Sequence, residues 1–215
     1  MANFEFNLDE EVALTNKVGG GAGVKTDVHA VTITNVFLGE TSNGNNVADF
    51  IFETEAGGKG VIFGMCIDPK WVSGAENFDY PTWQEFAKIG GMKTGDTYEA
   101  KRKMNGKEVS ATAFKEVAGK KLNLAIYEEF DFHKGKESSK LKLAQTFTPS
   151  GKSLVEAVGK LDPVQMEEVR GQLKDSYTKA WKKQNADGGI PETTDAADTS
   201  SENVAVEEDD DDLFD

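Results

Sequence analysis

VHAVTITNVFL (Val28–Leu38), VADFIFET (Val47–Thr54) and VIFGMCI (Val61–Ile67) are the runs whose reading decides the fold. They are rich in β-branched and aromatic residues, and apolar positions alternate in the manner of half-buried strands. Gly39 to Asn46, rich in Gly, Asn and Ser, and Ala56-Gly57-Gly58-Lys59-Gly60 are turn material, so the three strands form a meander. Further along, Asp96–Met104 and Lys107–Val117 flank Asn105-Gly106, the strongest short hairpin signal, and give strands four and five. Leu122–Phe130 reads as a sixth strand and Leu141–Phe147 as a last, short one.

Two helices are expected. Pro81 followed by TWQEFAKI suits a short helix ended by Gly90-Gly91. Asp162-Pro163 opens a second that runs to about Lys183, with Val164, Met166, Val169, Leu173, Tyr177, Ala180 and Trp181 as its apolar face. The expected class is therefore mainly β: a small OB-fold-like β-barrel with a mid-chain helical insertion, a C-terminal helix and a disordered acidic tail. Other small β-barrels share this pattern. Residues 1–23 read as a flexible N-terminal segment ending in Gly19-Gly20-Gly21-Ala22-Gly23, 24–160 as the barrel domain, 161–185 as the helix and 186–215 as the tail.

Charge divides the chain in the same places. Of 215 residues, 24 are Lys or Arg and 38 are Asp or Glu. The stretch from Ala186 to Asp215 holds 12 acidic residues and no basic one, which leaves the body close to neutral. Within the body, Lys101 to Lys152 holds 12 basic and 6 acidic residues. An acidic tail is thus joined to a body with a basic middle. Small polar residues and like charges cannot offset the entropy of ordering the tail. Its end, Asp209-Asp210-Asp211-Asp212-Leu213-Phe214-Asp215, departs from a plain solubilising run. Leu213 and Phe214 have nothing local to pack on, and they suit an apolar pocket on a partner whose basic rim meets the carboxylates.

Several function classes are excluded or weakened. The apolar runs are a few residues long, so no membrane span is expected, and Met1-Ala2-Asn3-Phe4-Glu5-Phe6 lacks a secretory pattern. A cytoplasmic location follows. Cys66 is the single cysteine and His29 and His133 the only histidines, so neither an internal disulfide nor a cysteine-rich zinc site is available. Gly151-Lys152-Ser153 imitates the end of a phosphate loop, but Thr146 stands where its first glycine belongs. No cofactor is expected.

What remains is a constellation of cations and rings. Lys101, Arg102, Lys103, Lys107, Lys115, Lys120 and Lys121 cluster on and around the expected hairpin, and Lys134, Lys136, Lys140, Lys142 and Lys152 follow. Trp71, Phe78, Tyr80 and Trp83 lie in the mid-chain insertion and Tyr98 on strand four. A single-strand binder needs these two ingredients, a basic groove for phosphates and rings for bases to stack on. The seven cations from Lys101 to Lys121 are the expected phosphate contacts, and Trp71, Tyr80, Trp83 and Tyr98 the expected stacking residues. Lys101 and Lys103 alternate with Tyr98 and Arg102 along the strand, so these cannot all face one groove.

A basic barrel followed by an acidic tail tipped with Asp209-Asp210-Asp211-Asp212-Leu213-Phe214-Asp215 resembles the single-stranded DNA-binding proteins of bacteriophages and bacteria. The size, the mid-chain insertion and the helix before the tail look more like the phage type. The resemblance implies an OB-fold that coats single strands during DNA replication, recombination and repair. It also implies a tail that recruits polymerase and helicase or primase components, in the cytoplasm of a bacterial host. This sequence departs from the bacterial pattern in placing Asp215 after Phe214, where those members commonly end on the aromatic itself.

Two other readings compete. Asp79 with Glu99-Ala100-Lys101 imitates a Mg²⁺-dependent nuclease site. A protein-binding adaptor would use the barrel for a partner other than nucleic acid. The C-terminal helix can pack on its own barrel or on a second copy, which leaves a homo-oligomer open.

Overall fold

The computed structural model describes residues 23–104 and 107–186. The N-terminal segment before Gly23, the Asn105-Gly106 turn and the tail from Asp187 onward, with Asp209 to Asp215 at its tip, lie outside the described residues. The described chain is mainly β, with eight strands in one antiparallel-dominated sheet and four short helices.

The meander is present as β1 (Asp27–Glu40), β2 (Asn46–Thr54) and β3 (Lys59–Cys66). Strand β1 organises the fold because it serves two sets of partners. Val31 to Glu40 pair with β2, and the first part of the strand, Asp27 to Thr32, pairs with β6 (Lys121–His133). A bulge between Ile33 and Asn35 bends it where the pairing with β6 ends. Beyond the bend, Phe37 meets Ala113 of β5 (Lys107–Phe114), which is the outgoing arm of a hairpin with β4 (Thr97–Met104). Strand β6 turns back into β7 (Lys136–Phe147), and β7 comes to lie beside β3, running in the same sense. No ladder joins β3 to β7 among the described residues, so the sheet stays open there. The order β1-β2-β3, then β7-β6 back to β1, is OB-like, as the alternation predicts.

Helix α1 (Tyr80–Ile89) spans the opening between β3 and β7. Its Trp83 and Phe86 enter the core and meet Phe50, with ring centroids 6.2 and 4.7 Å away. Glu85 accepts from the Thr146 N–H and from Gln145, fastening the helix to β7, and burial pushes its carboxyl up. The core itself is the inward set of Val31, Ile33, Val36, Phe50, Phe52, Ile62, Leu124, Ile126 and Leu141. Gly60 is required opposite Phe52, because a Cβ there would lie 2.2 Å from the ring.

Two expectations need correction. Strand β7 begins five residues before Leu141. Lys136 to Lys140 are polar and carry no strand period, but they are drawn into the ladder by the two-residue turn Lys134-Gly135, both at positive φ (51° and 78°). The helix expected from Asp162 to Lys183 is divided. The chain forms α2 (Leu154–Gly159), α3 (Gln165–Gln172), the two-residue strand β8 (Ser176–Tyr177) beside β6, and α4 (Lys179–Gln184). The helical spacing of the apolar residues is genuine, yet it serves two separate patches. Met166, Val169 and Leu173 pack on Val28, Ala125 and Phe147, whereas Tyr177 stacks on Phe130 and Trp181 on Tyr177. Leu173 is extended, which breaks the helix so that both patches are reached, and Val164 remains exposed.

Candidate nucleic-acid interface

In strands that bury one face, the other face is read by parity. With Phe50, Phe52 and Ile62 inside, the outer face of the meander presents Asn35 and Phe37 from β1, Asp49, Ile51 and Glu53 from β2, and Val61 and Phe63 from β3. Asn35 stands opposite Ile51, and Phe37 opposite Asp49. Phe63 sits at the β2–β3 register shift beside Asp49, whose Oδ1 accepts from the Gly64 N–H at 2.7 Å. Lys121 extends the lower row by pairing with Thr32.

The β4–β5 hairpin bends across this face. One of its sides carries Tyr98, Ala100, Arg102, Val109, Ala111 and Ala113, and the small alanines permit close approach. Tyr98 donates its hydroxyl to Asn35 Oδ1 at 2.7 Å, and Arg102 Nη2 lies 2.7 Å from Asp49 Oδ2. The Arg102 guanidinium also lies 5.2 Å from the Phe37 ring centre and 5.9 Å from that of Phe63, so it touches all three meander strands. Phe37 is on the outer side yet only 1% exposed, whereas Phe63 is 49% and Tyr98 38% exposed. The result is a face with rings and apolar side chains at its centre and Arg102 over it.

The other side of the hairpin carries Glu99, Lys101, Lys103, Glu108, Ser110 and Thr112. Lys101 pairs with Glu108 at 3.0 Å, and both are largely exposed. Glu99 accepts from Ser110 Oγ at 2.6 Å and from Thr112 Oγ1 at 3.1 Å. Asp79 lies instead at the head of α1, lining a small recess with Phe63, Met65 and Lys142. Asp79 and Glu99 thus stand on different elements with different partners, and no group of three His, Cys, Asp or Glu able to hold a metal occurs among the described residues.

The expected residues are thus sorted by structure. Trp83 is corrected outright: at 6% exposure it belongs to the core with Phe50, Phe86 and Phe114, because helical spacing turns it inward with Phe86. Tyr80 packs partly against the same core. Arg102 is 12% exposed in its side chain and committed to Asp49 rather than open to phosphate. Lys101, Lys103 and Lys107 are exposed on the hairpin, and Lys115, Lys120 and Lys121 are exposed between β5 and the start of β6.

Trp71 occupies a separate, hydrogen-bonded loop. Asn45 binds the Lys70 carbonyl and the Val72 N–H, and the buried Asn77 donates to the carbonyls of Cys66 and Asp68. These bonds present Trp71, Val72 and Phe78 to solvent, Phe78 at 79% exposure.

Phe63 and Asp49 were missed by sequence reasoning. VIFGMCI reads as a continuous apolar run, so nothing marked Phe63 as outward; the parity set by Ile62, with glycine at 64, was the available signal. No known family model matches the chain, and neither the curated proteins nor the solved structures hold a significant match to it.

Proposed function

We propose that this chain binds single-stranded DNA without strong sequence preference, serving DNA replication, recombination and repair and having no catalytic step of its own. The observation that carries the reading is the outer face of β1–β3 with the hairpin bent across it: Phe63 of β3 and Tyr98 of β4 are exposed there, and Lys115, Lys120 and Lys121 are exposed at the β5–β6 connection. Base stacking on such rings contributes about 1–3 kcal/mol per base and tolerates any sequence, while lysines neutralise the backbone. A duplex reader usually presents a recognition helix or a zinc module, and α1, the longest described helix, turns its aromatic side into the core. Phe63 and Tyr98 are the principal stacking residues in this reading, with Trp71 and Phe78 as a second pair.

The tail supports the reading by charge. Its 12 acidic residues imitate a phosphate backbone and suit the basic middle of the chain when DNA is absent. Displacement by DNA frees Leu213 and Phe214 for polymerase and helicase or primase components. No described helix is long and apolar enough to cross a membrane; the proposed location is the cytoplasm, that of a bacterial host for a phage-encoded chain.

The test is tryptophan fluorescence during titration with oligo(dT), on the intact chain and on one truncated after Val206, with duplex DNA and a salt series as controls. Quenching is expected to weaken with salt, to exceed the duplex response and to strengthen on truncation. Phe63→Ala is expected to weaken binding by about 1–3 kcal/mol. Absence of binding at low salt by both the intact and the truncated chain overturns the reading in favour of the protein-binding adaptor.

A further inference from the structure

Arg102 occupies an unusual position for a cation on a nucleic-acid face. Its partner Asp49 stands at the centre of the outer face, where a carboxylate repels a phosphodiester strand unless it is neutralised. Asp49 is fixed to the barrel by the Gly64 N–H at 2.7 Å, so it keeps a hydrogen bond if Arg102 leaves. Arg102, by contrast, rides on the outer part of a hairpin anchored at its base, where Ala113 is buried and Phe114 enters the core with its ring centre 5.5 Å from that of Trp83. In the ladder the anchor is the Phe37–Ala113 pair, and β4 pairs only with β5 among the described residues. The side-chain ties on the hairpin's inner side are Tyr98 to Asn35 and Arg102 to Asp49. Phe37, an outer-face ring buried under the guanidinium, is the surface that this closed position hides.

Building on the single-strand reading above, we propose that the Arg102–Asp49 ion pair is a latch: it holds hairpin β4–β5 across the outer face, and a DNA phosphate replaces Asp49 as the partner of Arg102 when the hairpin lifts. The guanidinium fork fits a phosphate as well as it fits a carboxylate, so the exchange conserves its hydrogen bonding. Lifting exposes Phe37 next to Phe63, which lengthens the stacking surface along one row. The closed form lowers apparent affinity by the fraction of molecules in which the latch is open.

The experiment uses the full chain and oligo(dT) of about 20 nucleotides, enough to cover one OB-type site. Asp49→Asn is expected to tighten binding about tenfold by raising the open fraction. Glu53→Gln removes a charge from the same face of the same strand and is expected to change affinity less than about twofold, because exposed charges are screened. In an Arg102→Ala background the gain from Asp49→Asn is expected to shrink to the plain effect of removing one charge, about that of Glu53→Gln. In the wild type, the ¹⁵N side-chain resonance of Arg102 is expected to shift on saturation with oligo(dT). A gain from Asp49→Asn no larger than that from Glu53→Gln, or one that persists undiminished without Arg102, overturns the latch. If Arg102→Ala does not fold, the wild-type resonance decides, and an unchanged signal at saturation overturns it. Failure of the wild type to bind oligo(dT) at all removes the single-strand reading first and the latch with it.

Discussion

Hairpins β4–β5 and β6–β7 each carry four cations, Lys101, Arg102, Lys103 and Lys107 on one and Lys134, Lys136, Lys140 and Lys142 on the other, and they are held in opposite ways. The β6–β7 hairpin is tied on every side. Strand β6 pairs with β1 and β8, β7 is bolted to α1 through Glu85, and Lys140 is taken up by Glu129 at 2.7 Å. At the outer end, Trp181 Nε1 donates to Glu137 at 2.7 Å and Thr178 to Asp131 at 2.5 Å, which holds the Asp131 carboxyl below its usual range. The β4–β5 hairpin is anchored at its base, by the Phe37–Ala113 register pair and by Phe114 in the core against Trp83, and beyond that by the inner-side bonds of Tyr98 and Arg102. Composition makes the two alike; the ties fasten one along its whole length and the other mainly at its base.

The comparison is broken most directly by truncating one apolar position in each hairpin. Leu141→Ala, in β7, is expected to cost about 2–5 kcal/mol in urea unfolding, since it empties a core site. Val109→Ala, in β5, lies at an exposed position and is expected to cost less than about 1 kcal/mol. Equal losses would mean that both hairpins belong to one cooperative unit.

Acid unfolding sharpens the same contrast, because the chain leaving β7 is secured by a carboxylate. Burial alone would raise the Glu156 carboxyl, but the backbone N–H groups of Gln165, Ser153 and Val164 bring it down to about 2. A lowered carboxylate contributes its stability above its ordinary range and loses it as pH falls through the folded value. The stability gap between wild type and Glu156→Gln is therefore expected to be full near neutrality and to close between about pH 4.5 and about pH 2. A gap that stays constant across that interval would count against the carboxylate as the fastening.

Smaller effects are expected at the periphery. Trp181→Phe keeps the ring contact with Tyr177 and loses the bond to Glu137, for a cost of about 1 kcal/mol by thermal unfolding. Lys101→Gln breaks an exposed pair with Glu108 and is expected to move stability by no more than about 0.5 kcal/mol. Under the proposed function it also lowers the slope of log affinity for oligo(dT) against log salt by about one. An unchanged slope would remove Lys101 from the phosphate contacts.

Much of the barrel was legible because strand alternation reports directly on which side faces the core. Val28–Leu38, Val47–Thr54 and Val61–Ile67 appear as β1, β2 and β3 within a few residues, and Pro81 and Gly90 bracket α1 as expected. The candidate interface was less legible. Hydrophobicity marks Trp83 and Phe63 alike, although one is buried and the other half exposed, because exposure depends on which neighbour covers a ring. The C-terminal segment misled for a related reason: apolar residues at helical spacing describe one stripe only if the helix is unbroken, and here two patches of the barrel compete for them.

By itself the sequence determined the strands of the meander, the helix after it, the basic middle and the acidic end, since each depends on local period, turn chemistry or charge count. Tertiary structure decided the rest. It turned Phe63 outward, placed Asp49 in the middle of the outer face, and folded a lysine-rich hairpin back so that Arg102 meets that carboxylate across three strands. Such contacts join residues about fifty positions apart, and no local pattern carries them, because they arise from the bend in β1 and the packing of one sheet face against a hairpin.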